Sequence, residues 1–239
     1  TIPDGTPEEA VAALNFFQGC RTAKIKVAGT HSSLDTARLI EIERALGDSG
    51  KIRIDANGSW SVDEALKQIS AFYEVLGNTL EYVEQPCATV EELRELKAKI
   101  KIPLRIAADE IIRKAADPCT VDLTGAADIV MLKVQPLGGI QRSLEIAAHH
   151  GLPVVVSSAL ESAIGIEYGL DLAASVKDLT FDCGLATGSL LASDVAEHKI
   201  TDGKITLGQI SPQLDGLDVS AERFEWWKNR IMRTAELLQ

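Results

Sequence analysis

The chain has 239 residues, 46% of them hydrophobic and 25% charged, which is ordinary globular composition with enough apolar material for a large core and for one or two domains. Its net charge is −11, and no Lys/Arg cluster forms a stripe. That speaks against nucleic acid and anionic membrane surfaces as partners, since both need concentrated positive charge. No apolar run approaches the ~18 residues of a membrane span and no basic-plus-apolar leader is present, so the expected location is cytoplasmic. Cys20, Cys87, Cys119 and Cys183 are dispersed without a C-x-x-C pair, as free cytosolic thiols would be. The chain opens at Thr1 rather than Met, the pattern of a fragment or of a chain whose beginning is missing.

Thr6-Pro7-Glu8-Glu9 predicts a helix start, with Thr6 as N-cap, Pro7 at the first helical position and Glu9 closing a capping box; the helix runs to about residue 17. A strand follows over 22–28, with Lys24 and Lys26 on one face and Ile25 and Val27 on the other. A helix over 34–46 places Leu39, Ile42 and Leu46 on one stripe and ends at Gly47. The strand Ile52-Arg53-Ile54-Asp55 leads to a second capping box at Ser61-Val62-Asp63-Glu64, whose helix repeats Val62, Ala65, Ile69 and Phe72 at helical spacing. After the strand 80–84, Thr89-Val90-Glu91-Glu92 repeats the device, with Leu93, Leu96 and Ile100 as the apolar stripe. The strand 104–109 precedes a weaker helical segment over 114–123, then a strand over 128–134 and a helix over 140–150 introduced by Gly138-Gly139. His149 and His150, at the end of that helix, are expected on the surface. The run 153–158 is nearly all apolar, as a strand buried on both faces should be. A helix over 164–175 and a short strand near 181–185 complete the alternation, and an eighth strand is expected at or just before Thr1.

The rhythm breaks after Leu191. Residues 199–207 predict a hairpin around Asp202-Gly203, 212–216 a loop, and 221–238 a final helix with Phe224, Trp227, Ile231 and Leu238 on or near one face, where adjacent tryptophans are expected to pack the helix rather than bind a ligand. The chain therefore divides into 1–191, an alternating β/α unit, and 192–239, a hairpin and helix that complete the barrel or cap region.

A charged side chain recurs at the C-terminal end of each early strand. Lys26 and Asp55 are 29 residues apart, Asp55 and Glu84 another 29, Glu84 and Asp109 25, and Asp109 and Lys133 24. Strict alternation with short loops points to a parallel sheet with right-handed crossovers. A doubly wound sheet would put its site at one switch point between strands. A (β/α)8 TIM-type barrel brings successive strand ends around one mouth, at its C-terminal face, and is the fold expected here.

Three carboxylates meeting in such a mouth repel one another, and a hard divalent cation resolves the conflict. Mg²⁺, with Mn²⁺ as the alternative, suits all-oxygen ligands while leaving positions for a small-molecule carboxylate substrate. A single strand-end acid often only caps a helix or pairs with arginine, but three in consecutive units flanked by lysines read as a site. A lysine near a metal and a second ammonium releases its proton more easily and can serve as a base, although Lys24 and Lys26 also suit a salt-bridged pair on a strand edge. The parts together describe proton removal next to a substrate carboxylate with electrostatic stabilisation of the enediolate.

Lys24-Ile25-Lys26, Asp55-Ala56-Asn57, Glu84-Gln85-Pro86, Ala108-Asp109-Glu110 and Lys133 resemble the enolase superfamily in its muconate-lactonizing branch, over nearly the whole chain. Sites of that superfamily pair a Lys or His base with Mg²⁺. The resemblance implies Lys26 as the base, Lys133 opposite it stabilising the enediolate, and Lys24 tuning Lys26. It implies Asp55, Glu84 and Asp109 as Mg²⁺ ligands, with Asn57 and Glu110 behind them orienting the ligands. Ser157-Ser158-Ala159-Leu160-Glu161-Ser162-Ala163-Ile164-Gly165, Gly184-Leu185-Ala186-Thr187-Gly188 and Asp194-Val195 narrow the likeness to the branch's dehydratases. Those act by syn loss of water from a cyclohexadiene carboxylate carrying a succinyl group, on the route to menaquinone. Gly138, Gly139, Ser158 and Glu161 are then candidates for substrate binding, free N–H groups at a helix start favouring an anionic tail; the glycine pair equally suits a plain tight turn. The family also carries an N-terminal α+β capping domain, which is expected to be largely absent from this chain. Rival readings are an acyl amino acid racemase, a dipeptide epimerase or a muconate cycloisomerase of the same branch, and a barrel without catalysis used for binding. The oligomeric state is not specified.

Overall fold

The computed structural model of the chain describes residues 1–237. Helix α1 (Pro7–Phe16) is followed by β1 (Thr22–Lys26), α2 (Asp35–Leu46), β2 (Lys51–Asp55), α3 (Val62–Leu76), β3 (Leu80–Glu84), α4 (Val90–Lys99), β4 (Arg105–Ala108), α5 (Glu110–Arg113), β5 (Ile129–Leu132), α6 (Val134–Leu137), α7 (Ile140–His150), β6 (Val154–Val156) and α8 (Ala163–Ser175). A two-stranded hairpin, β7 (Ile200–Thr201) and β8 (Lys204–Ile205), and a last helix, α9 (Ala221–Glu236), close the chain.

Strands β1 to β6 form one parallel sheet in sequence order. The sheet extends at both edges by single parallel bridges, Ile2 beside Ile25 and Gly184 beside Ser157, where the sequence predicts full strands. It is also curled. The Thr22 hydroxyl on β1 donates to Asp182 (2.5 Å), and the Arg53 Nη1 on β2 donates to the Asp182 carbonyl (2.7 Å), so the segment next to β6 reaches back to the first two strands. Arg53 fills the enclosed end: its Nε pairs with Glu81 (2.6 Å) and its guanidinium lies 4.9 Å from the Tyr82 ring centre and 5.9 Å from that of Phe181. Tyr82, Ala107, Ile129, Met131, Val155 and Phe181 form the small apolar cluster there.

The outer layer follows from local chemistry. Thr6 and Thr89 each make both halves of a capping box with Glu9 and Glu92; Ser61 accepts the Glu64 N–H, and no reciprocal bond from Glu64 accompanies it. α3 buries Val62, Ala65, Ile69, Phe72 and Leu76 against the sheet and ends at Gly77, whose φ of 51° suits a residue without a side chain.

Two predicted elements differ. In place of a helix over 114–123 there is the short α5 and a 3-10 turn at Pro118–Thr120: Pro118 cannot donate to a continuing helix, and the Asp117 carboxylate caps Cys119 N–H instead. The strand predicted to Val134 stops at Leu132, and Lys133 becomes the residue before α6, which tolerates Pro136 in its first turn because that N–H has no helical partner. His150 is half-buried, its Nε2 3.1 Å from the Pro118 carbonyl, rather than a plain surface residue.

The hairpin forms around Asp202-Gly203 and packs on the α1–β1 turn, Gly203 N–H donating to Gln18 O (3.0 Å). α9 forms with Ser220 as N-cap and buries none of its residues. The expectation that its tryptophans pack the helix onto the body is not met: Trp226 and Trp227 are 43% and 50% exposed and stack edge-on against each other. Leu238 lies outside the described residues.

Candidate active site

The parallel register sets the site. Lys26 is paired with Asp55 across β1 and β2, and Asp55 with Glu84 across β2 and β3, so the strand-end residues stand side by side. Asp55, Glu84 and Asp109 are fully buried. Lys24 Nζ lies 3.1 Å from Asp55 Oδ2 and 2.7 Å from Glu84 Oε2, bridging the two acids. Lys26 Nζ donates to the same Asp55 oxygen (2.5 Å) and to Asn57 Oδ1 (2.8 Å). On the other side Lys133 Nζ donates to Asp109 Oδ2 (2.6 Å). Asn57 Nδ2 donates to Glu110 Oε1 (3.1 Å), which also receives Arg113 Nη2 (2.6 Å), and Arg113 Nε donates to Asp109 Oδ2 (3.3 Å). A continuous hydrogen-bonded chain thus runs from Lys26 through Asn57, Glu110, Arg113 and Asp109 to Lys133. All five strand-end charges predicted from the spacing, with Lys24, Asn57 and Glu110, fall in this cluster.

The charges shape one another. Burial works against a charge on Lys24, yet Glu84 and Asp55 outweigh it and hold the ammonium above the usual lysine range. Burial also opposes ionisation of Asp55, but Lys24 and Lys26 overcome it and keep the carboxyl below the usual carboxylate range. Glu84 goes the other way: burial, with Asp55 and Asp109 adding to it against the pull of Lys24, pushes its carboxyl up to about 7. The donor set is all oxygen; Glu110 Oε2 is buried without a hydrogen-bond partner, and Asp109 Oδ1 has only the ion-pair contact of Arg113 Nε at 3.2 Å. That chemistry fits a hard divalent cation. As placed, the Lys24 ammonium lies between Asp55 and Glu84, and among the described residues no three His, Cys, Asp or Glu side chains are arranged to hold a metal ion.

The residues expected to touch substrate are less concentrated. Gly138 and Gly139, with φ of 91° and 113°, lead into α7 immediately after Lys133 and α6, and no side chain caps that helix. The Ser158 hydroxyl is engaged with the Gly184 carbonyl (2.8 Å) and Thr187 Oγ1 (2.6 Å), bracing the edge of the sheet. Glu161 Oε2 accepts the Ala159 N–H (2.7 Å), while its Oε1 is buried without a partner. A cavity of about 680 Å³ opens beside this region, lined by Ile166, Leu185, Asp194, Val195 and His198 rather than by the strand-end acids.

Two polar residues of the site carried no role in the sequence. Arg113 stands three and four residues after Glu110 and Asp109, spacing that brings side chains together on one turn of helix. Gln85, fully buried, accepts the Asp109 N–H (3.0 Å) and the Ile111 N–H (3.4 Å) and donates to Cys87 O (2.8 Å), tying the third strand end to the fourth.

A parallel, curled sheet with acids and lysines at its strand ends defines a class, and comparison with known proteins agrees. Residues 8–219 match the Enolase C-terminal domain-like family, and the chain belongs to it. It is 46% identical over 244 residues to the o-succinylbenzoate synthase of Mycobacterium ulcerans (strain Agy99), covering 100% of this chain and 72% of that one. It is 49% identical over 202 residues to the o-succinylbenzoate synthase of Thermobifida fusca (strain YX), covering 84% and 62%. Among solved structures, the L-Ala-D/L-Glu epimerase from Bacillus subtilis superposes with a TM-score of 0.70 at 30% identity, over 84% of this chain and 58% of that one. The muconate lactonizing enzyme from Pseudomonas putida gives 0.70 at 25%, over 88% and 60%. The chain therefore spans less than two thirds of the length of these two solved structures.

Proposed function

We propose that this protein is an o-succinylbenzoate synthase, a Mg²⁺-dependent lyase that removes water from 2-succinyl-6-hydroxy-2,4-cyclohexadiene-1-carboxylate in menaquinone biosynthesis. Similarity over the whole of this chain, and 72% of the length of each relative, to two o-succinylbenzoate synthases supports the substrate. The observation that carries the mechanism is the placement of Lys26 and Lys133 at the two ends of one buried acidic cluster.

In this reading Lys26, as the free amine, takes the proton from the ring carbon bearing the carboxylate, and the electron pair moves into that carboxylate as an enediolate. The pair then returns to form the new ring double bond as the C6–hydroxyl bond breaks. Lys26 gives its proton to the departing oxygen on the same face, which yields water and an aromatic ring and restores the amine. Lys133 holds its ammonium toward the developing negative charge, and Lys24, fixed by Glu84 and Asp55, keeps a positive charge beside the base. Asp55, Glu84 and Asp109 would hold Mg²⁺ or Mn²⁺, which when bound supplies positive charge to a substrate carboxylate. Asn57 and Glu110 would orient that set, and Gly138, Gly139, Ser158 and Glu161 would meet the succinyl tail.

The finer architecture belongs to the same proposal. Residues 1–191 make a closed (β/α)8 barrel, supported by the bridges at Ile2 and Gly184 and by the Thr22–Asp182 contact across the seam. The second unit, 192–239, of which residues 192–237 are described, is a hairpin and helix that complete the barrel or cap region. The substrate is a small soluble carboxylate, and no described helix is long and apolar enough to cross a membrane.

A second reading, racemisation or epimerisation of an acyl amino acid, draws on the same lysine pair, since one lysine on each face can remove and return a proton. Ultraviolet loss of the cyclohexadiene, with and without Mg²⁺, measured beside polarimetry on N-succinyl amino acids, separates the two. Metal-dependent dehydration is the expected result; racemisation alone would overturn the substrate assignment.

A further inference from the structure

Arg38 is the largest fully buried side chain among the described residues and takes no part in the chemistry above. It is expensive where it lies, on α2 in a core otherwise lined by Leu39 and Ile42, and its Nε has no partner. A buried ion pair is commonly no more stabilising than apolar side chains of the same volume. What the arginine adds is geometry. Its Nη1 pairs with Asp35 Oδ1 (2.8 Å) and approaches Asp4 Oδ1 (3.4 Å), and its Nη2 donates to the Pro3 carbonyl (2.9 Å). Asp35 Oδ2 in turn accepts the N–H of Ala28 (2.9 Å).

These bonds converge on the turn that follows Lys26. Ala28 has a φ of 64°, a conformation strained for a residue with a side chain, and the Asp35 carboxylate accepts the N–H of that residue. Gly29 packs so closely on Asp4 that an added Cβ would lie 2.5 Å from its carboxylate. Asp4 also receives the Thr30 hydroxyl (2.6 Å). The N–H of Lys26 donates to Ile2 O (3.1 Å), one residue before the carbonyl that Arg38 grips. The segment 2–4, the end of β1 and the start of α2 are thus tied together through the buried Arg38–Asp35 pair, at the turn that follows Lys26.

We propose that Arg38, with Asp35, is a positioning residue for proton abstraction: it fixes the backbone on both sides of Lys26 so that the amine meets the substrate's ring carbon at reacting distance. This rests on the reading of Lys26 as the base. Small displacements of a reacting group, on the order of 1 Å, can cost about 10²-fold in rate.

The test compares wild type, Arg38→Met and the paired Asp35→Leu/Arg38→Met variant, the last removing both buried charges so that no lone carboxylate is left to unfold the chain. Thermal melting establishes that each variant is folded. The readouts are kcat, KM, the kinetic isotope effect with substrate deuterated at the proton-losing carbon, and Mg²⁺ affinity by calorimetry. The expected result is a fall in kcat of at least about tenfold with KM and Mg²⁺ affinity within about twofold, and an isotope effect larger than wild type because proton removal has become limiting. A folded paired variant with wild-type kcat and isotope effect would overturn the proposal. So would a loss shared equally by Mg²⁺ affinity, which would mark a general loosening of the fold. Wild-type enzyme that fails to turn over the diene would instead count against the functional reading; the same ratios can then be measured as α-proton exchange of an N-succinyl amino acid in deuterated water.

Discussion

The strand-end cluster and helix α9 are both amphipathic in sequence, and the structure treats them in opposite ways. Asp55, Glu84 and Asp109 are buried at the strand ends, and each is held by at least one ammonium group. Helix α9 has the same quality of local signal, a cap at Ser220 and an apolar stripe through Phe224, Trp227 and Ile231, yet all three lie at least half exposed. Local chemistry is enough to form a helix or a strand. Only an adjacent surface makes its apolar face contribute to stability, and only strand register makes its polar end part of a site.

This contrast can be broken at its strongest point first. Asp55→Ala removes the carboxylate that both Lys24 and Lys26 share, and it should lower Mg²⁺ affinity by at least about tenfold in calorimetry while turnover collapses. Unchanged affinity would take Asp55 off the ligand set. Next, Phe72→Ala in α3, fully buried under the sheet, should cost about 3–5 kcal/mol in a denaturant titration, whereas Trp227→Ala in α9 should stay within about 0.5 kcal/mol. Equal losses would mean that the tail is packed after all.

The smallest effect concerns pH. The Thr30 hydroxyl, against the opposing effect of burial and with His31 assisting, lowers the Asp4 carboxyl to about 2 from an ordinary 3.8. A depressed folded value gives stability that is complete above the unfolded value and disappears as pH falls through the folded one. The stability advantage of wild type over Asp4→Asn should therefore hold above about pH 4 and fade between pH 3.8 and 2, and it should stay under about 1 kcal/mol because Asp4 is partly solvated. Melting curves at stepped pH measure it, and an advantage that grew on acidification would contradict the assignment.

Much of this was legible before any coordinates. Capping boxes at Thr6 and Thr89 mark helix starts through bonds made within four residues, and β5 reads as an unbroken apolar run followed by the charge of Lys133. The acids and lysines were legible because the repeat of the β/α unit carries them to one end of the sheet. Gln85 and Arg38 were not, since their partners are brought in by packing, and Arg38 looks like any helical arginine until Pro3 and Asp4 stand beside it; Arg113 was overlooked although its partners lie three and four residues before it. The segment after Arg113 misled because its apolar spacing is helical while Asp117 and Pro118 end the helix locally. α9 misled because an apolar stripe states what a helix could bury, not whether a surface is there.

In the proposed mechanism this cluster is one catalytic site with Lys26 as its base. The direct measurement is the rate of diene loss by wild type and by Lys26→Ala at saturating Mg²⁺, with metal affinity determined in parallel. Lys26→Ala should lose at least about 10²-fold in kcat while Mg²⁺ binding and the melting transition are retained. Turnover by Lys26→Ala at the wild-type rate would contradict that mechanism.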